Sequence, residues 1–95
     1  MNVLFVHPNF PAQFRHQARV LGATPANRVV FATMNPRPEW NIPGVAKAVC
    51  DQKRTPATQT HPLANPFEQA TLKGEAMYFL AKGLRGQGFV PDVIV

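Results

Sequence analysis

The chain has 95 residues, ten Lys or Arg against five Asp or Glu, and a formal net charge of +5. That length suits one small domain, and the single cysteine, Cys50, excludes an internal disulfide and any multi-cysteine metal site. The positive excess favours anionic partners such as phosphates or acidic lipid surfaces, the latter as a peripheral membrane contact; the basic residues are scattered from Arg15 to Arg85, including Lys53 and Arg54, instead of forming one stripe, so no nucleic-acid partner is expected.

Val3 to His7 begins as an unbroken apolar run. Without polar alternation, such a run suits a strand covered on both faces, as in a parallel sheet. It is too short, and lacks the basic leader, for a secretory signal, and no run approaches a bilayer span. The expected location is the cytoplasm. A proline-rich loop, Pro8-Asn9-Phe10-Pro11, leads into a helix predicted from about Ala12 to Leu21. Phe14, Ala18 and Leu21 recur at helical spacing and place one apolar stripe toward a sheet, with Arg15, His16 and Arg19 largely opposite. Gly22 is expected to stop the helix, and Pro25 forbids its continuation.

Arg28 to Thr33 reads as a second strand, rich in β-branched and aromatic residues. Met34 to Gly44 holds Pro36, Pro38, Pro43 and the only tryptophan, Trp40; prolines at that density forbid a regular helix or central strand. Val45 to Cys50 is a third short strand, with Cys50 expected as a buried, inert thiol. Asp51 to Ala64 is a long polar loop. A second helix follows, with Asn65 as N-cap, Pro66 at the first helical position and Glu68 closing a capping box. Phe67, Ala70, Gly74, Met77, Tyr78, Ala81 and Leu84 follow helical spacing. The helix should end near Gly86 or Gly88, and Gly74 and Gly83 suggest close packing. Pro91 to Val95 reads as a last buried strand.

This alternation predicts an α/β domain over residues 1–95: a Rossmann-like partial parallel sheet of about four strands in the order 3-2-1-4, with two main helices. A terminal apolar strand needs neighbours and a cover. The chain is therefore expected to be part of a longer protein, and its last strand to promote self-association.

The loop after the first strand lies where open α/β sheets bind ligands. It lacks the glycines of a dinucleotide cradle and of a Walker loop, which argues against a nicotinamide or flavin site there. It offers His7, Asn9, Gln13 and the amides that open the first helix, groups suited to hydroxyls or an anion. His7 is a candidate base or hydroxyl ligand, set against a satisfied structural histidine. Phe10 and Trp40 are candidate stacking surfaces for a sugar ring, with loop packing favoured for Trp40. His16 reads as solvent-exposed, and His61 lies in the long loop. The histidines lack metal-ligand spacing, and no nucleophile elbow is present; neither a metal nor a cofactor is expected.

Two stretches, VLFVHPNFPAQFRH (Val3 to His16) and HPLANPFEQATLKGEAMYFLAKGLRGQGFVPDVIV (His61 to Val95), resemble the amino-terminal part of bacterial family-four glycosyltransferases. The resemblance implies a GT-B fold, in which two Rossmann-like domains face one another across a cleft. It implies that this chain is the first part of the amino-terminal, acceptor-binding domain. The carboxyl-terminal domain would hold most of the nucleotide-sugar donor. The implied reaction is metal-free sugar transfer with retention, and the isolated piece would be inactive. Carried over by position, Asn9, Phe10, Pro11, Ala12 and Gln13, with His7, become the substrate-binding residues. The family often has glycine where Ala12 stands; the added methyl should restrict positive φ and close contact with a phosphate. The alternative is a non-enzymatic α/β binding or assembly module, dimeric through the exposed strand edge.

Overall fold

The computed structural model describes residues 1–52, 55–57 and 59–95. Lys53 and Arg54, counted above among the basic residues, and Thr58 of the long loop lie outside the described residues. The elements run β1 (Asn2–Val6), α1 (Arg15–Gly22) after a 3-10 turn at Ala12–Phe14, β2 (Arg28–Thr33), β3 (Val45–Val49), α2 (Asn65–Gly86) and β4 (Val93–Ile94). The strands form one sheet in the order β3-β2-β1-β4, parallel at every pairing. The predicted fold class and strand order hold. The first strand starts and ends one residue earlier than its apolar run suggested, and β3 stops before Cys50.

Side chains alternate across a strand, and an unbroken apolar run therefore needs two covers. Val3 and Phe5 face one layer with Phe10, Ala18, Val29, Phe31 and Ile42, and Phe14 and Leu21 pack onto it. Leu4 faces the other with Val30, Ala32 and Phe89, against Met77, Leu80 and Leu84 of α2. Thus α1 covers one face and α2 the other. Among the described residues, Thr33 is the only buried polar side chain.

Three local expectations are corrected. Gly22 does not stop α1 through a left-handed cap: Ala23 caps it with helical geometry, its N–H donating to Arg19 O at 3.1 Å. Gly22 instead allows close approach, since a Cβ there would lie 2.9 Å from Pro43 O. The capping box of α2 does not form. Ala64 is the N-cap, without a side-chain hydrogen bond, because a turn built on His61 already delivers the chain into the helix: Ala64 and Asn65 N–H both donate to His61 O. Glu68 reaches across the loop instead, accepting from Ala57 N–H and the Thr60 hydroxyl. Finally, the inward stripe of α2 comprises Leu72 and Ala76, both buried, with Met77, Leu80 and Leu84. Phe67 and Tyr78 are exposed, and Gly74 and Gly83 face open space.

The end of α2 follows from Gly88 at φ +83°. Its N–H donates to Arg85 O, and Phe89 N–H reaches Leu84 O at 2.9 Å. This Schellman arrangement turns Phe89 back into the core beside Leu84. The chain then enters β4, held by Asn2 N–H on Asp92 Oδ2 (2.7 Å) and Asp92 N–H on Asn2 O (2.8 Å). Among the described residues β4 pairs only with β1, and Val93, Ile94 and Val95 are exposed. Among the described residues no helix is long and apolar enough to cross a membrane.

Candidate functional site

Strand order reverses at β1. The chain leaves β1 through α1 toward β2 and β3, and β4 is laid on β1's other side. The crevice outside the carboxyl ends of strands at such a switch point is where open α/β sheets take ligands. The loop of residues 7–13 stands there.

That loop is fastened to the segment after β2, which extends the β1–β2 pairing past both strands. His7 N–H donates to Ala32 O (3.1 Å), Met34 and Asn35 N–H to Pro8 O (3.1 and 2.9 Å), and Phe10 N–H to Asn35 O (3.2 Å). The buried Thr33 hydroxyl donates to Pro8 O at 2.9 Å and accepts from Asn35 N–H at 3.2 Å. Asn35 Nδ2 donates to Asn9 Oδ1 at 2.7 Å. Sequence reasoning missed Thr33 and Asn35 as the supports of this loop. The available signal was a threonine ending an apolar strand immediately before Met34-Asn35-Pro36.

His7 is half-buried. Its Nδ1 lies 3.0 Å from Asn9 N and 3.1 Å from Asn9 O, so the turn of residues 7–9 closes on that nitrogen whichever tautomer the ring adopts. The ring rests edge-on against Phe14 at 6.0 Å. His7 is therefore oriented, with Nε2 as the ring nitrogen that this turn leaves unengaged. Asn9 keeps its amide N–H groups, and Asn9, Ala12 and Gln13 are exposed.

Phe10 and Pro11 play the opposite part. Phe10 is buried with its edge against Phe31 at 4.9 Å, and the Lys47 ammonium stands 4.3 Å from its ring centroid. Its ring is thus no stacking surface for a sugar, correcting that expectation: the core takes it because the turn folds it under the loop. Pro11 is buried beside it, joined by a cis peptide bond, and Pro11 O accepts from Phe14 N–H at 3.0 Å. One of the amides opening the helix is thereby used internally.

Ala12 adopts φ +49°, the left-handed region that its methyl was expected to restrict. The turn imposes that conformation at a penalty of roughly 1–2 kcal/mol for a non-glycine residue. Ala12→Gly removes the penalty but adds freedom to the unfolded chain. The expected net is a gain of about 0.5–1 kcal/mol, read as a higher Tm in thermal unfolding; an unchanged or lower Tm would count against a left-handed residue here.

Behind the loop, between the strand ends, Cys50 and the α2 residues Lys73 and Met77, lies an apolar cavity of about 100 Å³. Burial, and then the Asp51 carboxylate, push the Cys50 thiol above its usual range. It remains neutral at physiological pH and is no nucleophile. His16 and His61 are exposed; His61 Nδ1 accepts from Leu63 N–H at 3.1 Å within its own turn. Among the described residues no group of three or more His, Cys, Asp or Glu side chains is placed to hold a metal ion.

The sequence pattern of the glycosyl transferase family 4 group matches residues 25–95. Neither a curated protein nor a solved structure matches the chain. The matched stretch takes in β2, β3, α2 and β4, with Thr33 and Asn35. It begins after the loop of residues 7–13, whose reading rests on its own geometry and on its attachment to the matched part.

Proposed function

This chain belongs to the glycosyl transferase family 4 group, and on that premise we propose that it forms the acceptor side of a retaining, GT-B-type glycosyltransferase acting on a nucleotide-sugar donor. The observation that carries the reading is the family match, which spans three of the four strands and the long helix. The geometry supports a division of labour. The loop after β1 has no glycine between His7 and Gln13, so it is poorly suited to cradling a pyrophosphate. It presents hydrogen-bonding groups, His7 Nε2, the Asn9 amide and the Gln13 amide, which suit the hydroxyls of a sugar acceptor.

In the reaction, the bond from the sugar's anomeric carbon to the nucleotide's terminal phosphate oxygen breaks. A bond from that carbon to an acceptor oxygen forms, and the acceptor hydroxyl's proton passes to the departing phosphate oxygen, so atoms and charge balance. With Nδ1 engaged by the Asn9 backbone, His7 meets the acceptor hydroxyl through Nε2. Its role is to orient the acceptor.

Transfer by the native polypeptide that carries these residues tests the reading. Asn9→Ala and His7→Ala are each expected to lower kcat/KM for the acceptor about tenfold, the loss of one to two hydrogen bonds, with donor hydrolysis little changed. A well-folded protein that neither transfers nor hydrolyses any donor across a panel of nucleotide sugars would sink the proposal.

A second reading, assembly through β4, is favoured by one observation: among the described residues its outer edge has no strand partner, and Val93, Ile94 and Val95 are exposed. An apolar edge of this kind seeks a strand from another copy. Light scattering is expected to show a dimer that Ile94→Lys returns to monomer; a monomer at all concentrations rejects it.

A further inference from the structure

Beside the loop of residues 7–13 lies a second feature to which the transfer reading assigns no role. α1 reads Arg15-His16-Gln17-Ala18-Arg19-Val20-Leu21-Gly22 and contains three basic side chains and no acid. Arg15 and Arg19 are four residues apart and share a helix face. With His16, Trp40, Asn41 and Pro43 they line an open pocket of about 380 Å³, and among the described residues no Asp or Glu lines it. The Arg15 guanidinium stands over the Trp40 ring, 5.8 Å from its centroid.

Two rules of helix stability are broken at this spot. Arg15 places a cation in the first turn, at the positive end of the helix dipole. Arg15 and Arg19 are like charges at a spacing where they repel. An anion in the pocket would offset both, while Arg19 already stands in the last turn, where the dipole favours a cation. Breaches of local preference of this kind concentrate at functional sites. The donors suit the purpose: guanidinium groups bind phosphate or carboxylate through paired, charge-assisted hydrogen bonds. Trp40 and Asn41 add an apolar ring and an amide that both donates and accepts, the groups that recognise a sugar ring and its hydroxyls. Only one residue separates Gln13, in the loop, from Arg15, in the pocket.

We infer that this pocket binds an anionic group, phosphate or carboxylate, carried on a sugar, so that the acceptor served by the loop is a charged one. The sugar portion of this inference rests on the glycosyl-transfer reading; the anion portion rests on the pocket.

Trp40 is the only tryptophan, so its emission reports on the pocket directly. Titration of the full chain with glucose 6-phosphate and with glucuronate is expected to give a saturable change in emission for at least one of them. Glucose and inorganic phosphate, at matched ionic strength, should each bind at least about tenfold more weakly. Arg15→Gln and Arg19→Gln should each weaken the response about tenfold, as loss of a charge-assisted pair does. Both side chains are exposed, and should either variant fail to fold, the wild-type titration decides alone. No saturable response, an equal response to glucose or to inorganic phosphate, or a response only to phosphatidylglycerol vesicles overturns the inference. Transfer activity that survives without binding here would remove this site and leave the transfer reading intact. Binding here without transfer would do the reverse.

Discussion

Phe31→Ala is expected to remove most of the stability of this domain. Phe31 is fully buried in β2, and three rings converge on it: Phe5 stacked at 5.6 Å, Phe10 edge-on at 4.9 Å and Phe14 tilted at 6.4 Å. Truncation leaves a cavity bounded by aromatic rings from one strand, the loop after it and the 3-10 turn, which cannot close around it. Such a change typically costs about 3–5 kcal/mol, against a total of roughly 5–14 kcal/mol for a domain of this length. The loss should also reach the candidate site, because Phe10 anchors the loop of residues 7–13 in this cluster. Urea unfolding followed by circular dichroism is expected to show the midpoint displaced close to zero denaturant. Phe31→Leu, which retains most of the volume, should lose appreciably less. A loss below about 1 kcal/mol for the alanine variant would contradict the packing described.

The second large effect concerns Gly44. Its φ of +81° lies in the left-handed region, and a Cβ there would stand 2.0 Å from Gly22 O. The obstacle is backbone, so no rotamer can relieve it. Gly44→Ala is expected to cost roughly 1–2 kcal/mol for the conformation and about 1–3 kcal/mol more for the overlap, since the end of α1 must move away from the turn before β3. The same chemical change at Gly74 should have the opposite sign. Nothing lies within 4 Å of a Cβ built there, and exchange of an exposed helical glycine for alanine gains about 0.5–1 kcal/mol. Paired melting curves test both. A mild Gly44→Ala variant would mean that α1 and the turn are not in contact.

These effects mark how far sequence reasoning reaches. β1 was legible as an interior strand because Val3-Leu4-Phe5 has no polar position, so both of its faces had to be covered. The stripe of Phe14, Ala18 and Leu21 on α1 was legible because helix spacing offered one apolar face there. α2 was different. Its residues offer two apolar stripes, and spacing cannot say which one a sheet will take. The stripe of Leu72, Ala76, Leu80 and Leu84 faces the sheet, where Leu4, Val30 and the returning Phe89 form its counterpart. Phe67 and Tyr78, the more conspicuous residues in the sequence, remain outside.

The site divides in the same manner. Asn9, Gln13 and His7 could be read as polar groups at a strand's carboxyl end, and the structure leaves Asn9 and Gln13 exposed and His7 half-buried there. The inward turn of Phe10 was not legible, because an aromatic in a proline-rich loop looks the same whether its ring faces water or core. Nor were Thr33 and Asn35, whose partners Pro8 and Asn9 lie about 25 residues away.

Taken by itself, the order of residues determined the parallel α/β class, the approximate bounds of the strands and helices, and the position of the loop after β1. Those features follow from covered apolar runs, helical spacing and prolines, all of which act within a few neighbouring residues. Tertiary structure alone decided which face of α2 is buried, the left-handed turn at Ala12, the contact of Gly22 with Gly44, and the gathering of Arg15, Arg19 and Trp40 into one pocket. Each of these joins or constrains segments that are distant along the chain, and each is set by the register of the parallel strands and the closeness with which helices pack on them.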